Sequence, residues 1–166
     1  MDQKLSQTLS SRTMEFNTLE HNPTVIASVG SLIYSKNTKR YLFLLRNGDR
    51  FNDTWSIAGG KINKNESIVN ALKREVYEEI GFDISNYKLI PLETFTTPNN
   101  YFCYYTFLIP IETEFIPILN NEHKGWAWTD IENIPKPTHP GLFKTVRLEE
   151  ILSKIKTTET IHFSTN

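Results

Sequence analysis

Residues 67–81 constrain the fold most, because their apolar side chains recur with the spacing of one face of an α-helix. At 100° per residue, four of them share a side that we expect to face a core. These four are Val69, Leu72, Val76 and Ile80. The helix is predicted from about residue 67 to residue 80, and Gly81 is the expected cap at its C-terminal end.

The rest of the chain has the pattern of strands and one further helix. Apolar runs bounded by turn residues predict the strands, and a second helical stripe follows them. The predicted strands are 24–35, 41–46, 55–58, 87–97, 101–111 and 124–131, and the second helix is 139–155. Strand 101–111 is apolar on both faces, which predicts cover on both sides. This order favours a single mixed α/β domain with helices on both faces of the sheet.

The ends of the chain are more polar than this domain. Residues 1–22 are interpreted as an arm or short helix, because Pro23 interrupts any helix that precedes it. The domain is predicted over residues 23–156, and residues 157–166 are predicted to form a loose polar tail.

Composition and charge limit the class of protein. The 166 residues carry a net charge of −1, so no general attraction to nucleic acid or to an anionic membrane is expected. No apolar run has the length of a signal peptide or of a membrane span. The single cysteine, Cys103, excludes an internal disulfide and is interpreted as a buried core residue rather than a catalytic thiol. These features predict a soluble protein, with the cytoplasm as the expected compartment.

Three glutamates crowd one stripe of the predicted first helix, beside its buried face. Glu75, Glu78 and Glu79 lie three and four residues apart, so their charges repel one another near the negative end of the helix dipole. Lys73 and Arg74 are expected to project elsewhere and to leave this repulsion unrelieved. An ordinary charged surface helix is the alternative, but it does not explain why the carboxylates converge. A divalent cation such as Mg²⁺ would turn the repulsion into attraction.

The residues around this stripe resemble the signature of the Nudix hydrolases. The match consists of Gly60, five residues, Glu66, seven residues, and then the run from Arg74 to Phe82 that reads REVYEEIGF. Nine constrained positions over 23 residues make a chance match very unusual, unlike a lone glycine motif. The resemblance implies an α/β/α sandwich with a mixed β-sheet over about residues 24–155.

The resemblance also implies an activity and a set of site residues. The expected reaction is Mg²⁺-dependent hydrolysis of a nucleoside diphosphate linked to another moiety, with Mn²⁺ as a substitute metal. Glu78 and Glu79 would be the principal metal ligands and Glu75 a ligand or a base, while the carbonyl of Gly60 would complete the shell. Glu66 would be a further ligand or a supporting partner, and Arg74 would orient a catalytic glutamate.

Several residues outside the signature are weaker candidates. Glu122 is a candidate base or extra ligand, with His123 beside it, although both could be loop surface. Arg46 and Arg50 could bind phosphate or ribose hydroxyls, or could be solvated charges. One or two aromatic residues could stack on a base, although aromatics at strand spacing more often belong to a core. These aromatic candidates are Trp55, Tyr101, Phe102 and Tyr104, and Lys61 and Lys64 are expected to be exposed.

The substrate is the least constrained prediction. Pro98 lies sixteen positions after Phe82, a spacing that the family associates with ADP-ribose hydrolases, so ADP-ribose or a nucleotide sugar is favoured. Tyr101 lies nineteen positions after Phe82, near the spacing associated with dinucleoside polyphosphate hydrolases. Pro98 also suits a plain turn. The alternatives are dinucleoside polyphosphates, oxidised nucleoside triphosphates, a 5′ phosphate of RNA, or a non-catalytic nucleotide sensor or protein-binding module. A homodimer is a further possibility that the family suggests.

Overall fold

Residues 25–163 are described by the computed structural model, and the arm predicted for residues 1–22 lies outside them. The described part contains seven strands, three α-helices and one 3₁₀ turn, Ile131–Asn133. The strands are β1 Ile26–Ser35, β2 Arg40–Arg46, β3 Trp55–Ser56, β4 Ala58–Lys61, β5 Ile90–Thr96, β6 Phe102–Ile111 and β7 His123–Thr129. The helices are α1 Ile68–Ile80, α2 Pro140–Thr145 and α3 Glu149–Phe163.

The strands form one mixed sheet, as predicted, in the order β3-β2-β1-β6-β5, with β4 also paired to β1 and β7 to β2. β1 and β6 run parallel along their whole length, and the other pairs are antiparallel. β1 changes partner along its length, because Ser31 pairs with Ala58 of β4 whereas Tyr34 pairs with Tyr41 of β2. The sheet therefore divides beside the middle of β1.

Helices cover both faces of the sheet, which confirms the predicted layers. On one face, Val29 and Ile33 of β1 pack with Leu72 and Val76 of α1 in the larger core. On the other face, Leu32 and Tyr34 of β1 belong to a second core with Ile151 and Ile155 of α3. We call these the α1 face and the α3 face. Cys103 is buried on the α1 face, as expected of a core residue.

α1 has the capping residues that its sequence predicts. The Ser67 hydroxyl accepts the Asn70 N–H at 3.2 Å, and Gly81 adopts a left-handed φ of 67° while its N–H donates to Tyr77 O. The predicted core side is wrong at one position. Ile68 is buried and Val69 is only half-buried, so the apolar stripe is rotated toward the glutamates.

Three predicted elements have different limits in the structure. Predicted strand 55–58 is two short strands, β3 and β4, which pair with β2 and β1 respectively. Predicted strand 87–97 starts only at Ile90 and contains a bulge between Pro91 and Glu93. Predicted helix 139–155 is interrupted between α2 and α3, where the Leu148 N–H bonds to Thr145 O in a tighter turn.

The prediction of a loose tail after residue 156 is wrong, because α3 continues to Phe163. Its later turns are anchored on the sheet: Ile155 is fully buried, and the Tyr41 hydroxyl donates to Glu159 Oε1 at 2.5 Å. Threonine hydroxyls at positions 157 and 158 bond back to carbonyls four residues earlier, which suits polar threonines within a helix. No helix among residues 25–163 is long and apolar enough to cross a membrane.

Candidate metal and catalytic site

The three glutamates of α1 run from its buried face to its exposed face. Glu79 is 2% exposed and Glu75 is 9% exposed, whereas the side chain of Glu78 is about half exposed. The acidic stripe therefore overlaps the core-facing stripe instead of lying only beside it. Burying two carboxylates on a helix is costly unless a cation or hydrogen-bond donors compensate them.

Glu79 lies against the backbone of β4. Its Oε2 accepts the Gly59 N–H at 2.8 Å. Burial raises the pKa of Glu79 to about 8; the Gly59 hydrogen bond and Arg46 oppose the shift, whereas the charges of Glu122 and Glu75 add to it. One hydrogen bond thus compensates this buried carboxylate only in part.

Glu75 lies directly over Gly60. A Cβ atom at position 60 would be 2.5 Å from Glu75 Oε2 and 2.7 Å from Oε1, so only glycine leaves room for this carboxylate. Burial raises the pKa of Glu75, while Arg74 opposes the shift and the charges of Glu78 and Glu122 add to it. The glycine pair of β4 therefore supplies the N–H bound by Glu79 and the space filled by Glu75.

Arg74 forms hydrogen bonds with three acidic side chains of the cluster, so the prediction that it projects elsewhere is wrong. Its Nε and Nη2 donate to Glu66 Oε1 and Oε2 at 2.7 and 2.9 Å, a bidentate pair. Its Nη1 donates to Glu75 Oε1 at 2.7 Å and to Glu78 Oε2 at 3.2 Å, and Nη2 also reaches Lys61 O. The hydrogen bond from Arg74 lowers the pKa of Glu66. This geometry is consistent with the expected orienting role of Arg74.

The donor set suits a hard divalent cation. No group of three or more acidic, histidine or cysteine side chains among residues 25–163 is already arranged around one point, because Arg74 occupies Glu66, Glu75 and Glu78. The buried and incompletely compensated carboxylate of Glu79 nevertheless binds the N–H of Gly59, and Glu75 lies over the next residue, Gly60. Carboxylate and carbonyl oxygens are the ligands that Mg²⁺ prefers. The residues present therefore fit such an ion.

Two charged residues next to strand ends interact electrostatically with this cluster: Arg46 ends β2, and Glu122 immediately precedes β7. The side chain of Glu122 is exposed, and its charge raises the pKa of both Glu75 and Glu79. Its carbonyl oxygen accepts the Asn47 N–H at 2.7 Å, which ties the two loops together. Arg46 opposes the raised pKa of Glu79, and its buried Nε has no hydrogen-bond partner among residues 25–163.

His123 is a buried residue and not loop surface. It is 4% exposed, and neither ring nitrogen has a hydrogen-bond partner in the described chain. Burial, followed by the charge of Arg46, lowers the pKa of His123 to about 4. It is therefore neutral near pH 7, and nothing in its contacts favours a catalytic role.

Among the aromatic candidates, Tyr104 is the one whose pKa the charges of Glu79 and Glu75 help to raise. Its hydroxyl occupies the space over Gly30, where a Cβ atom would be 2.3 Å away. Burial raises the pKa of Tyr104, and the charge of Glu79 adds to the shift. Phe102 lies beside it, with ring centroids 6.3 Å apart. His139 has no predicted role; its ring contacts Phe51 edge-on, with the ring centroids 4.4 Å apart, and burial and the charge of Arg46 lower its pKa.

Other candidates lie away from the carboxylates. Arg50 is exposed and sits over the Phe51 ring at 5.8 Å. Pro98 and Tyr101 are exposed in the β5–β6 turn, and in the described chain no hydrogen bond or ring contact joins them to the cluster. Trp55 is half-buried and pairs with Leu45 of β2 and Thr138. Lys61 and Lys64 are exposed, as expected.

The chain belongs to the NUDIX domain family, whose model matches residues 25–148, and it is a Nudix hydrolase. It is 32% identical to the dihydroneopterin triphosphate diphosphatase of Haemophilus influenzae, over 67% of this chain and 78% of that protein. It is 36% identical to an 8-oxo-dGTP diphosphatase of Buchnera aphidicola, over 34% of this chain and 43% of the other.

A solved structure shows the same fold. The E. coli dihydroneopterin triphosphate pyrophosphohydrolase superposes with a TM-score of 0.61 over 75% of this chain and 94% of that one, at 23% identity. This likeness confirms the predicted α/β/α sandwich.

Proposed function

We propose that this protein uses Mg²⁺ to hydrolyse a pyrophosphate bond of a nucleoside triphosphate or of a related nucleotide. The observation that carries the proposal is the pair of buried carboxylates, Glu75 and Glu79, packed against the Gly59–Gly60 backbone. Mg²⁺, when bound, neutralises diphosphate charge and lowers the pKa of a coordinated water molecule. Buried carboxylates at a cleft that require a cation are expected of such a site.

Each acidic residue has a distinct proposed role. Glu75, Glu78, Glu79 and the Gly60 carbonyl would hold the ion, because Glu75 lies over Gly60, Glu79 accepts the Gly59 N–H, and Glu78 shares the Arg74 guanidinium with Glu75. Glu66 acts through Arg74, because both of its oxygens accept hydrogen bonds from that guanidinium. Arg74 in turn fixes Glu75, which is a positioning role.

Two residues outside α1 complete the proposed site. Glu122 is exposed beside the cluster and makes no ion pair among residues 25–163, so it is the proposed base that accepts a proton from the attacking water. Arg46, whose Nε has no partner in the same part of the chain, is the proposed phosphate contact.

The substrate class rests on the relatives and on the charge of the site. The two related proteins named above act on dihydroneopterin triphosphate and on 8-oxo-dGTP, both of which are triphosphates. We propose that this protein also acts on a triphosphate. ADP-ribose or a nucleotide sugar is the second candidate, favoured by the spacing of Pro98; the turn hydrogen bonds around Thr97, Asn99 and Phe102 give that proline an independent structural reason. The cytoplasmic setting and the homodimer stay predictions.

The test is a substrate panel with and without Mg²⁺. GTP, ATP, ADP-ribose, a diadenosine polyphosphate and a nucleotide sugar are incubated with the protein, and the products are identified chromatographically. Release of pyrophosphate or phosphate from a triphosphate supports the first candidate, while AMP plus ribose 5-phosphate from ADP-ribose supports the second. Absence of metal-dependent turnover with every compound would overturn the proposal.

Variants connect the activity to this site. Glu78→Gln removes the charge of an exposed acid without changing its volume, and Glu122→Gln does the same for the proposed base. Each should lower kcat by roughly 100-fold or more. Glu112→Gln is the matched control, because Glu112 pairs with Lys36 on the surface away from the cluster. Equal activity of all three variants would refute the assignment.

A further inference from the structure

The proposed base, Glu122, has an unbonded carboxylate on a main chain that is held from several sides. Within residues 25–163, its side-chain oxygens make no hydrogen bond or ion pair. Its N–H and its carbonyl oxygen are both hydrogen-bonded, and the next residue, His123, is buried. The main chain therefore determines where this carboxylate can reach.

Residues 120–123 form a turn that Asn120 organises, and we call it the Glu122 turn. Asn120 Oδ1 accepts the Glu122 N–H at 3.0 Å, and Asn120 O accepts the His123 N–H at 3.4 Å. An asparagine side chain that bonds to the main chain two residues later makes an Asx turn. The side chain of Asn120 thus fixes the N–H side of Glu122.

The same asparagine joins the Glu122 turn to α1. The Asn120 N–H donates to Glu79 O at 3.2 Å, and the Ile118 N–H donates to Ile80 O at 3.0 Å. Both carbonyls belong to the last turn of α1, where carbonyl groups lack partners inside the helix. Asn120 is therefore bonded to the main chain of a proposed metal ligand through its N–H, and to the main chain of the proposed base through its side chain.

Asn47, which directly follows β2, holds the other side of the Glu122 turn. Its N–H donates to Glu122 O at 2.7 Å, and its Nδ2 donates to Asn121 O at 3.0 Å. The residue before it is Arg46, the proposed phosphate contact. Two successive carbonyls of the turn are therefore bonded to one residue at the end of β2.

We infer that Asn47 and Asn120 are positioning residues, which hold the main chain of Glu122 at a set distance from Glu79 so that its carboxylate reaches the attacking water. The inference rests on the proposed function, because it concerns the proton acceptor of the same reaction. A base must lie within hydrogen-bond reach of the proton that it accepts, and a displacement of about 1 Å is sufficient to slow a reaction by about 100-fold. Bonds to α1 on one side and to the end of β2 on the other limit such a displacement.

The first test removes the two asparagine side chains one at a time. Asn47→Ala removes one bond to the turn, and Asn120→Ala removes the bond to the Glu122 N–H. Each should lower kcat by about 10-fold at an unchanged KM, because neither side chain is a proposed substrate contact. Asn120→Ser, whose hydroxyl accepts the same N–H more weakly, should restore kcat to within about 3-fold of wild type. Asn37→Ala is the matched control, since this exposed side chain makes no hydrogen bond among residues 25–163.

The second test asks whether the two side chains act through Glu122. In a Glu122→Gln background the base is already absent, so Asn47→Ala and Asn120→Ala should lower kcat by less than about 2-fold further. If the asparagines acted elsewhere in the site, the fall would be as large as in wild type. Such additivity, or full kcat in both alanine variants beside an impaired Glu122→Gln, would overturn the inference and leave the proposed function intact.

Amide hydrogen exchange measures the geometry of the turn without any substrate. The Glu122 N–H is bonded to Asn120 Oδ1, so its exchange, followed by NMR, should become about 10-fold faster in Asn120→Ala and keep the wild-type rate in Asn37→Ala. An unchanged rate in Asn120→Ala would show that this side chain does not hold the turn, and would overturn the inference alone. Absence of metal-dependent turnover by wild type with every compound would instead overturn the proposed function, and the positioning role with it.

Discussion

The Glu79 carboxylate accepts the Gly59 N–H at 2.8 Å while only 2% of Glu79 is exposed. This contact places a carboxylate inside the fold with one donor and with the charges of Glu75 and Glu122 nearby. Without metal, the ionised form is therefore unfavourable in the folded state. The folded state therefore loses stability as the pH rises and Glu79 ionises, and a bound cation would remove this loss.

Glu79→Gln should accordingly stabilise the metal-free protein. At pH 7.5 in EDTA, we expect its free energy of unfolding to exceed that of wild type by on the order of 2 kcal/mol, because Glu79 must take up a proton to be buried at this pH whereas glutamine is neutral already. The measurement is urea unfolding followed by circular dichroism, with and without excess Mg²⁺. Mg²⁺ should stabilise wild type and leave the variant unchanged. A variant less stable than wild type in EDTA would contradict this account of the site.

Gly60→Ala tests the space beneath Glu75. The added methyl group would lie 2.5 Å from a Glu75 carboxylate oxygen, so either the carboxylate or β4 must move. We expect activity to fall by roughly 100-fold, because a displacement of about 1 Å is sufficient for such a loss. Gly48→Ala is the matched control, since a Cβ there has nothing within 4 Å. Comparable activity of the two variants would show that the position of Glu75 is unimportant.

Arg74→Lys tests positioning separately from charge. Lysine keeps the positive charge but cannot make the bidentate bond to Glu66 together with the bond to Glu75. We expect Mg²⁺ affinity or kcat to fall by about 10- to 100-fold with little change in substrate KM. Arg40→Lys is the control, because Arg40 makes a surface pair with Glu114. A rise in KM alone would instead indicate that Arg74 contacts the substrate.

The signature from Gly60 to Phe82 could be recognised from the sequence because its residues are local. Ser67, Gly81 and the apolar spacing of one helix specify α1 and its acids without reference to the rest of the chain. The same reasoning failed for Arg74, since its direction depends on Glu66 eight residues earlier in the preceding loop. Helical spacing alone contains no information about such a loop.

Features that depend on tertiary contacts were not predictable. The extension of α3 to Phe163 depends on burial of Ile155 and on the bond from Tyr41, a residue more than one hundred positions away. Glu93 pairs with Thr106 of β6 only because a bulge between Pro91 and Glu93 sets the register of β5. A one-residue difference in register would turn its side chain to the opposite face.

His123 gives a pH dependence that separates a buried histidine from a catalytic one. Its pKa falls from 6.5 to about 4 on folding, chiefly because of burial. Between these two pH values, His123 is therefore protonated in the unfolded chain and neutral in the folded protein. The stability that this neutral histidine contributes is present above pH 6.5 and is lost as the pH falls toward 4.

Between pH 7 and pH 5, this effect should remove about 1–2 kcal/mol from the free energy of unfolding of wild type. His123→Leu removes the titrating group, so the loss over that interval should shrink by this amount, whatever the absolute stability of the variant. Urea unfolding at both pH values gives the comparison. If kcat of His123→Leu, measured above pH 7 where His123 is neutral, fell as far as that of Glu122→Gln, the structural assignment would be wrong and the ring would have a direct part in the reaction.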